Sequence, residues 1–321
     1  MSGITLTASM RSNLLSLQNT QSLMDMTQER LSTGNKVNSA IDNPSSYYTA
    51  QSLNNRAGDW SSLLDSMGQA IQTIKAADQA IESITKFAEQ AKAVANSALD
   101  SANMEEIEAY KKQFNDIRTQ ITQLAGDAGY KGVNLLAGDD LTVTFNEGRT
   151  SSITVKGEKA SADELDIAVA GTWDAKTTSA AKKTALDEVK EAEVGEGKTY
   201  ATQAAKDEAV AAAQAEYEAA VKVDIKANKE AISTSIEEVE KAINTLRSMA
   251  STFGNNYSIV QNRQEFTENL IDVLTEGADK LTLADMNEES ANMLALQTRQ
   301  QLAINSLSLA SQASQSVLKL F

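Results

Sequence analysis

The chain has 321 residues, no cysteine and no histidine. That removes disulfides, thiolate nucleophiles, zinc–thiolate sites, the usual general base and the commonest metal ligand. A net charge of −15 disfavours nucleic acid as a partner, and an aromatic content of 5% is thin for a broad globular core but suits long helices meeting along Ala and Leu seams.

The first 20 residues hold a single charge, Arg11, and lack the 7–15-residue apolar core of a secretory signal. No stretch approaches the roughly 20 apolar residues of a membrane span. The expectation is a protein that is cytosolic or leaves by a route that reads no cleaved signal. Leu17, Met24 and Leu31 recur at sevens, and residues 1–28 carry only Arg11 and Asp25. Exposed helices are normally charged, so this one reads as meant for burial.

Breakers follow at once in LSTGNKVNSAIDNPSS, residues 31–46, which holds Gly34 and the chain's single proline, Pro44. Glycine can end a helix as a left-handed C-cap. Asn43 precedes proline and is disfavoured from helical geometry. A polar, extended segment is expected here.

Residues 60–99 then read as one helix with a sustained a/d seam. Leu63, Ala70, Ala77, Ile84, Ala91 and Ala98 form one row; Met67, Ile74, Ile81, Ala88 and Ala95 form the other. A further helix is expected over 105–125, with Ile107, Phe114, Ile117, Ile121 and Leu124 on one side. LTVTFNEGRTSSITV (141–155) alternates, turns at Asn146–Arg149 and alternates again, which predicts a β-hairpin. Residues 174–230 turn rich in Ala, Lys and Glu, broken at GEGK (195–198), and predict two exposed helices whose charge pairs form a solvated face.

A second heptad helix lies far along the chain. Ile232, Val239, Leu246 and Phe253 form one row, with Ile236, Ile243, Ala250 and Tyr257 in the other. Its seam can face that of 60–99, making one domain from early and late segments. At the end Leu296, Ala303, Ala310 and Val317 recur at sevens, flanked by Met293, Leu307 and Phe321, and residues 290–321 carry only Arg299 and Lys319. Each terminal helix is too narrow to bury its own seam. No adequate partner for the C-terminal one is evident within a chain, so both ends are expected to be disordered in a lone monomer. No Gly-rich phosphate loop or catalytic signature is legible. The expectation is a non-enzyme without cofactor or metal.

RLSTGNKVNSAIDNPSS (30–46) resembles the flagellin signature, in which an LSTG or LSSG turn leads to a basic residue, an NSA-like triplet and an Asp. NRQEFTENLIDVLTEGADKLTLADMNEESANMLALQTRQQLAINSLSLASQASQSVLKLF (262–321) is more similar still. The resemblance covers roughly 1–160 and 230–321. It implies a mainly α fold in which long coiled-coil-like helices from both termini build inner-tube and outer-tube domains, with a β-hairpin and a small, mostly helical surface insert.

The implied layout is an inner-tube half with its spoke loop over 1–45, an outer-tube part with the hairpin over 46–160, and a variable insert over 161–230. A second outer-tube part covers 231–284 and a second inner-tube half 285–321. Leu17, Met24, Leu31, Leu296, Ala303, Leu307, Ala310, Val317 and Phe321 would form the assembly seam. Gly34, Asn43 and Pro44 would shape the spoke.

The implied function is the filament subunit of a bacterial flagellum, a secreted homo-polymer that serves swimming. Its partners would be further copies, the export apparatus, a secretion chaperone, and hook-associated and cap proteins; neither nucleic acid nor membrane is expected. A hook–filament junction protein and a surface glycan-binding adhesin are the alternatives. Enteric flagellins are sensed by Toll-like receptor 5 through an Arg, a Leu and a Glu. Pairing along 85–132 puts Gln90, Val94 and Gln113 there, which implies weak receptor binding.

Overall fold

The computed structural model describes residues 8–174, 176–196 and 198–319. Two compact units emerge, one built from residues 1–62 and 266–321, the other from 63–265. Six helices carry the described chain: α1 (Ala8–Thr33), α2 (Pro44–Asp100), α3 (Met104–Asp127), α4 (Thr177–Glu191), α5 (Gln203–Thr282) and α6 (Met286–Lys319).

In the second unit the predicted seams meet. On α2, Met67, Ile74, Ala77, Ile81, Ile84, Ala88, Ala91, Ala95 and Ala98 are buried; on α5, so are Ile232, Val239, Leu246 and Phe253. All belong to one core. An ion pair between Lys92 Nζ and Glu240 Oε1 at 2.8 Å, and the Lys75 ammonium 5.5 Å from the Tyr257 ring centre, fix an antiparallel register. The many alanines have a physical consequence: small a/d side chains let helix backbones approach closely.

Helix α3 closes this core with Ile107, Phe114 and Ile121, all fully buried. Asn103 caps its start by accepting the Glu105 amide at 3.0 Å, and Glu105 and Glu106 oppose the helix dipole. Its far end is finished by Asn134, whose Nδ2 donates to the Ala125 and Gly126 carbonyls at 2.8 and 2.9 Å. The hairpin pairs β1 (Leu141–Thr144) with β2 (Ser152–Val155), Leu141 opposite Val155. Val143, Phe145 and Val155 point into the core while Thr142 and Thr154 bond each other outside, as period-two alternation requires. Asn146 Oδ1 accepts the amides of Thr150 and Ser151, which tightens the turn.

Residues 160–173 have no helical or strand period, yet Ala160, Ala162, Leu165, Ile167, Ala170 and Trp173 are all buried in this core. Polar groups on α3 hold the segment. Arg118 Nε donates to the Ile167 carbonyl at 2.8 Å, and Asn115 Oδ1 accepts the Ala170 amide at 3.0 Å. Trp173 lies 4.9 Å from Phe114, centre to centre, and its Nε1 donates to Ser235 Oγ at 3.2 Å.

The two helices expected over 174–230 are present, but the second does not stop there. It is the start of the 80-residue α5 and runs straight into the heptad segment. Asp224 on α5 is buried and accepts the Ser179 amide at 2.8 Å. It thereby caps α4, whose own N-cap residue Lys176 makes no capping bond with its side chain and pairs instead with Glu108. Burial pushes the Asp224 carboxyl up, but bonds from Ser179 and Thr178 together hold it below the ordinary aspartate range.

Farther out, Lys182 Nζ meets Glu216 Oε2 at 2.7 Å, so the two helices are adjacent there. Replacing 183–215 with a short Gly/Ser linker removes only material beyond that contact. Leu186 goes with it, buried but outside the shared core, so the urea midpoint of that core is expected to stay unchanged. A large loss would show that the tip braces the core.

In the first unit, the early turns of α2 bury Ala50, Ala57 and Trp60, and the last turns of α5 bury Thr267, Leu274 and Ala278. Helix α1 packs along α6.

Candidate assembly surfaces

The terminal seams find each other within the chain, where the sequence offered no evident partner for the C-terminal one. Arg30 Nη1 meets Glu289 Oε1 at 2.8 Å, and Gln300 Nε2 donates to Gln21 Oε1 at 2.7 Å. Both contacts fit one antiparallel register. Along α1 the covered or half-covered positions include Met10, Leu17, Thr20, Met24, Thr27 and Leu31; along α6 they include Glu289, Met293, Leu296, Gln300, Ala303, Leu307 and Ala310. The register sets Thr20 level with Gln300 and Met24 level with Leu296.

Phe321 and the side chain of Val317, both expected in this seam, lie outside what the structure describes. Thr20 and Thr27 are the members that an apolar search misses. Thr20 Oγ1 donates to the Ser16 carbonyl at 2.8 Å, so its polar atom is satisfied and the residue packs by its methyl.

Pairing leaves a second apolar set uncovered. Leu15 is 61% exposed, Leu294 67%, Leu302 64% and Leu309 67%; Leu23, Met26 and Ile304 are also exposed. The flanking surface holds almost no charge. Helices this low in charge, with apolar residues on both the paired and the free sides, are built for more than one neighbour.

The connectors that end α1 and α5 are joined. Gly34, at φ +77°, donates to the Arg30 carbonyl at 2.8 Å and closes α1 in the left-handed conformation expected of a glycine cap. Its carbonyl accepts the Ala284 amide at 2.9 Å, and the Lys36 amide donates to the Thr282 carbonyl at 2.7 Å. Lys36 Nζ also reaches the Lys280 carbonyl at the end of α5, placing positive charge at a helix C-terminus. Asn43 does more than precede proline. It caps α2, its Oδ1 accepting the Ser46 amide at 3.1 Å, and Pro44 takes the first helical position, where its missing N–H costs nothing.

Asp42 organises the polar turn between these points. Its Oδ2 accepts the amides of Asn38 and Ser39 at 3.0 and 2.9 Å and the Ser39 hydroxyl at 3.2 Å. The Ser39 and Asn38 amide bonds hold the carboxyl below its ordinary value. A lowered folded pKa means order that is present above the unfolded value and lost as pH falls through the folded one. Asp42→Ala is therefore expected to raise amide exchange at Asn38 and Ser39 at neutral pH. The wild-type chain should reach the same state only under acid. Unchanged exchange in the variant would remove Asp42 from this role.

Comparison with known proteins decides what these surfaces belong to. The bacterial flagellin N-terminal helical region matches residues 4–140, and the bacterial flagellin C-terminal helical region matches residues 236–321. The chain belongs to the bacterial flagellin family.

Flagellins of several bacteria align with it over nearly the whole length. A flagellin of Brucella melitensis is 28% identical, covering 100% of this chain and 99% of its own. Flagellin FljM of Caulobacter vibrioides is 27% identical over 96% and 95%, and flagellin C of Rhizobium meliloti 25% over 93% and 92%.

The receptor positions carried over from the flagellin resemblance lie on the second unit. Gln90 and Gln113 are exposed on α2 and α3, and Val94 is half-buried against the core. None supplies a charge. Among the described residues no helix of this flagellin is long and apolar enough to cross a membrane, and no group of acidic residues could hold a metal ion.

Proposed function

We infer that the chain is a structural subunit that polymerises into the bacterial flagellar filament. The observation that carries this reading is the α1–α6 pair, whose polar-studded seam is satisfied within a chain while its outer sides stay apolar and nearly uncharged. Burying one large apolar side chain contributes roughly 1.5–3 kcal/mol. Several per subunit, repeated through head-to-tail contacts that do not close, generate a helical polymer. The test is seeded polymerisation of purified monomer followed by sedimentation. Material that pellets as filaments supports the reading; a chain that stays soluble beside competent seeds contradicts it.

The finer layout is part of the proposal. Residues 1–45 and 285–321 form the inner-tube domain with Gly34, Asn43 and Pro44 in its spoke. Residues 46–160 and 231–284 form the outer-tube domain, and 161–230 is the variable insert. The hairpin and its neighbouring helices act as a switch between two packings. The subunit leaves the cell unfolded through the flagellar export apparatus with a secretion chaperone and meets hook-associated and cap proteins on the way. Absence of disulfides and a single proline suit threading and fast refolding. Neither alternative, junction protein or glycan-binding adhesin, draws support from a particular observation.

Activation of Toll-like receptor 5 is expected to be weak. Gln90 has no charge, Val94 is shorter than leucine, and Gln113 forms no charge-assisted bond. Two such losses at about 1–2 kcal/mol each weaken binding tens-fold. Equal potency with an enteric flagellin in a receptor-reporter assay would overturn this.

A further inference from the structure

The sulfur atoms of the chain are unevenly placed. Six of its nine methionines, Met1, Met10, Met24, Met26, Met286 and Met293, fall in the terminal segments, and there is no cysteine to act as a competing sink for oxidant. The three in the second unit are shielded. Met67 and Met249 are buried, and Met104 is half-buried with Asn228 Nδ2 donating to its Sδ at 3.5 Å. In the first unit, by contrast, Met26 is 46% and Met286 45% exposed, and Met24 and Met293 sit half-covered in the α1–α6 seam. The register set by Arg30–Glu289 and Gln21–Gln300 places Met293 level with Thr27, three residues from Met24.

We propose that Met24, Met26, Met286 and Met293 form an oxidation-sensitive site that switches off assembly of the subunit before it joins a polymer, a proposal that rests on the filament reading. The oxidant class is a two-electron peroxide. A thioether lone pair attacks one peroxide oxygen, the S–O bond forms as the O–O bond breaks, and the departing hydroxide takes the proton and leaves as water. Each sulfur loses two electrons and becomes a sulfoxide, which a methionine sulfoxide reductase returns to thioether at the expense of a dithiol.

The consequence follows from where these groups lie. Sulfoxides at Met24 and Met293 put strong dipoles at seam positions level with Leu296 and Thr27, away from the polar pairs, and those at Met26 and Met286 make the free apolar sides polar. The core of the second unit is untouched, so the effect is on assembly and not on folding of that unit.

The experiment treats full-length monomer with hydrogen peroxide, then adds filament seeds and reads elongation. Untreated monomer must elongate; failure there sinks the filament reading and not this one. After peroxide, elongation is expected to fall roughly tenfold or more, the size of one buried polar group left unmatched, and to return after sulfoxide reductase. The variant with all four residues changed to Leu, a nearly volume-conserving swap, is expected to keep its elongation rate after peroxide. A variant that loses as much as the wild-type chain overturns the proposal. Peptide mass spectrometry of partly oxidised wild-type protein gives a second reading that needs no variant. Sulfoxide at these four positions should be enriched in the fraction left in solution, and equal levels in solution and pellet overturn the proposal.

Discussion

Removal of residues 291–321 is expected to leave a soluble chain that no longer adds to filament seeds. The deletion takes Met293, Leu296, Gln300, Ala303, Leu307 and Ala310 from the seam and leaves α1 without the surface it packs along. It also removes Leu294, Leu302, Ile304 and Leu309 from the free apolar sides. Arg30 keeps its Glu289 partner, so the connector survives while the paired helix above it does not. A lone low-charge helix of 26 residues has little to hold it in water. Limited proteolysis should therefore cut within α1 in the truncated chain and spare the 63–265 unit. Normal filaments from the truncated protein would refute the role given to the terminal pair.

Trp173→Ala is expected to be among the most damaging single changes in the 63–265 unit. The side chain is fully buried, rests against Phe114 and bonds Ser235 through its indole nitrogen. Emptying such a site typically costs about 3–5 kcal/mol, and leaving the Ser235 hydroxyl without its partner adds to that. For a unit of this size the melting temperature should fall by roughly 6–20 °C. Trp173→Phe restores most of the volume but not the hydrogen bond and should fall between. A melting temperature within a degree of wild type would mean that residues 160–173 are not part of the core.

The heptad helices were legible because a period of seven sustained over Leu63–Ala98 and Ile232–Tyr257 leaves few other packings, and every position of the first row except Leu63 is buried. The hairpin showed through alternation, and the end of α1 through Gly34. Residues 160–173 were not legible as core: Leu165, Ile167 and Trp173 share no period, and their burial depends on Arg118 and Asn115, more than 40 residues earlier. The length of α5 was hidden for a different reason. Its Ala- and Lys-rich start differs in composition from the heptad segment, but composition does not end a helix; a breaker does, and none lies between Gln203 and Gly254.

At the assembly surface, Leu17, Met24 and Leu31 were visible as a row, but Thr20 and Thr27 were not, because sequence scales score threonine as polar; Thr20, bonded to the Ser16 carbonyl of its own helix, packs as an apolar residue. The clip at Asp42 and the joined connectors required the fold, since Gly34 and Ala284 are brought together only by antiparallel pairing.

A helical reconstruction of the assembled filament at side-chain resolution would show which subunit covers each side of α1 and α6. In it α1 and α6 of one subunit are expected to remain paired with Thr20 level with Gln300, and Leu15, Leu294, Leu302 and Leu309 to be covered by neighbouring subunits. Filaments in which those leucines face solvent, or in which α1 of one subunit pairs with α6 of another, would contradict this arrangement.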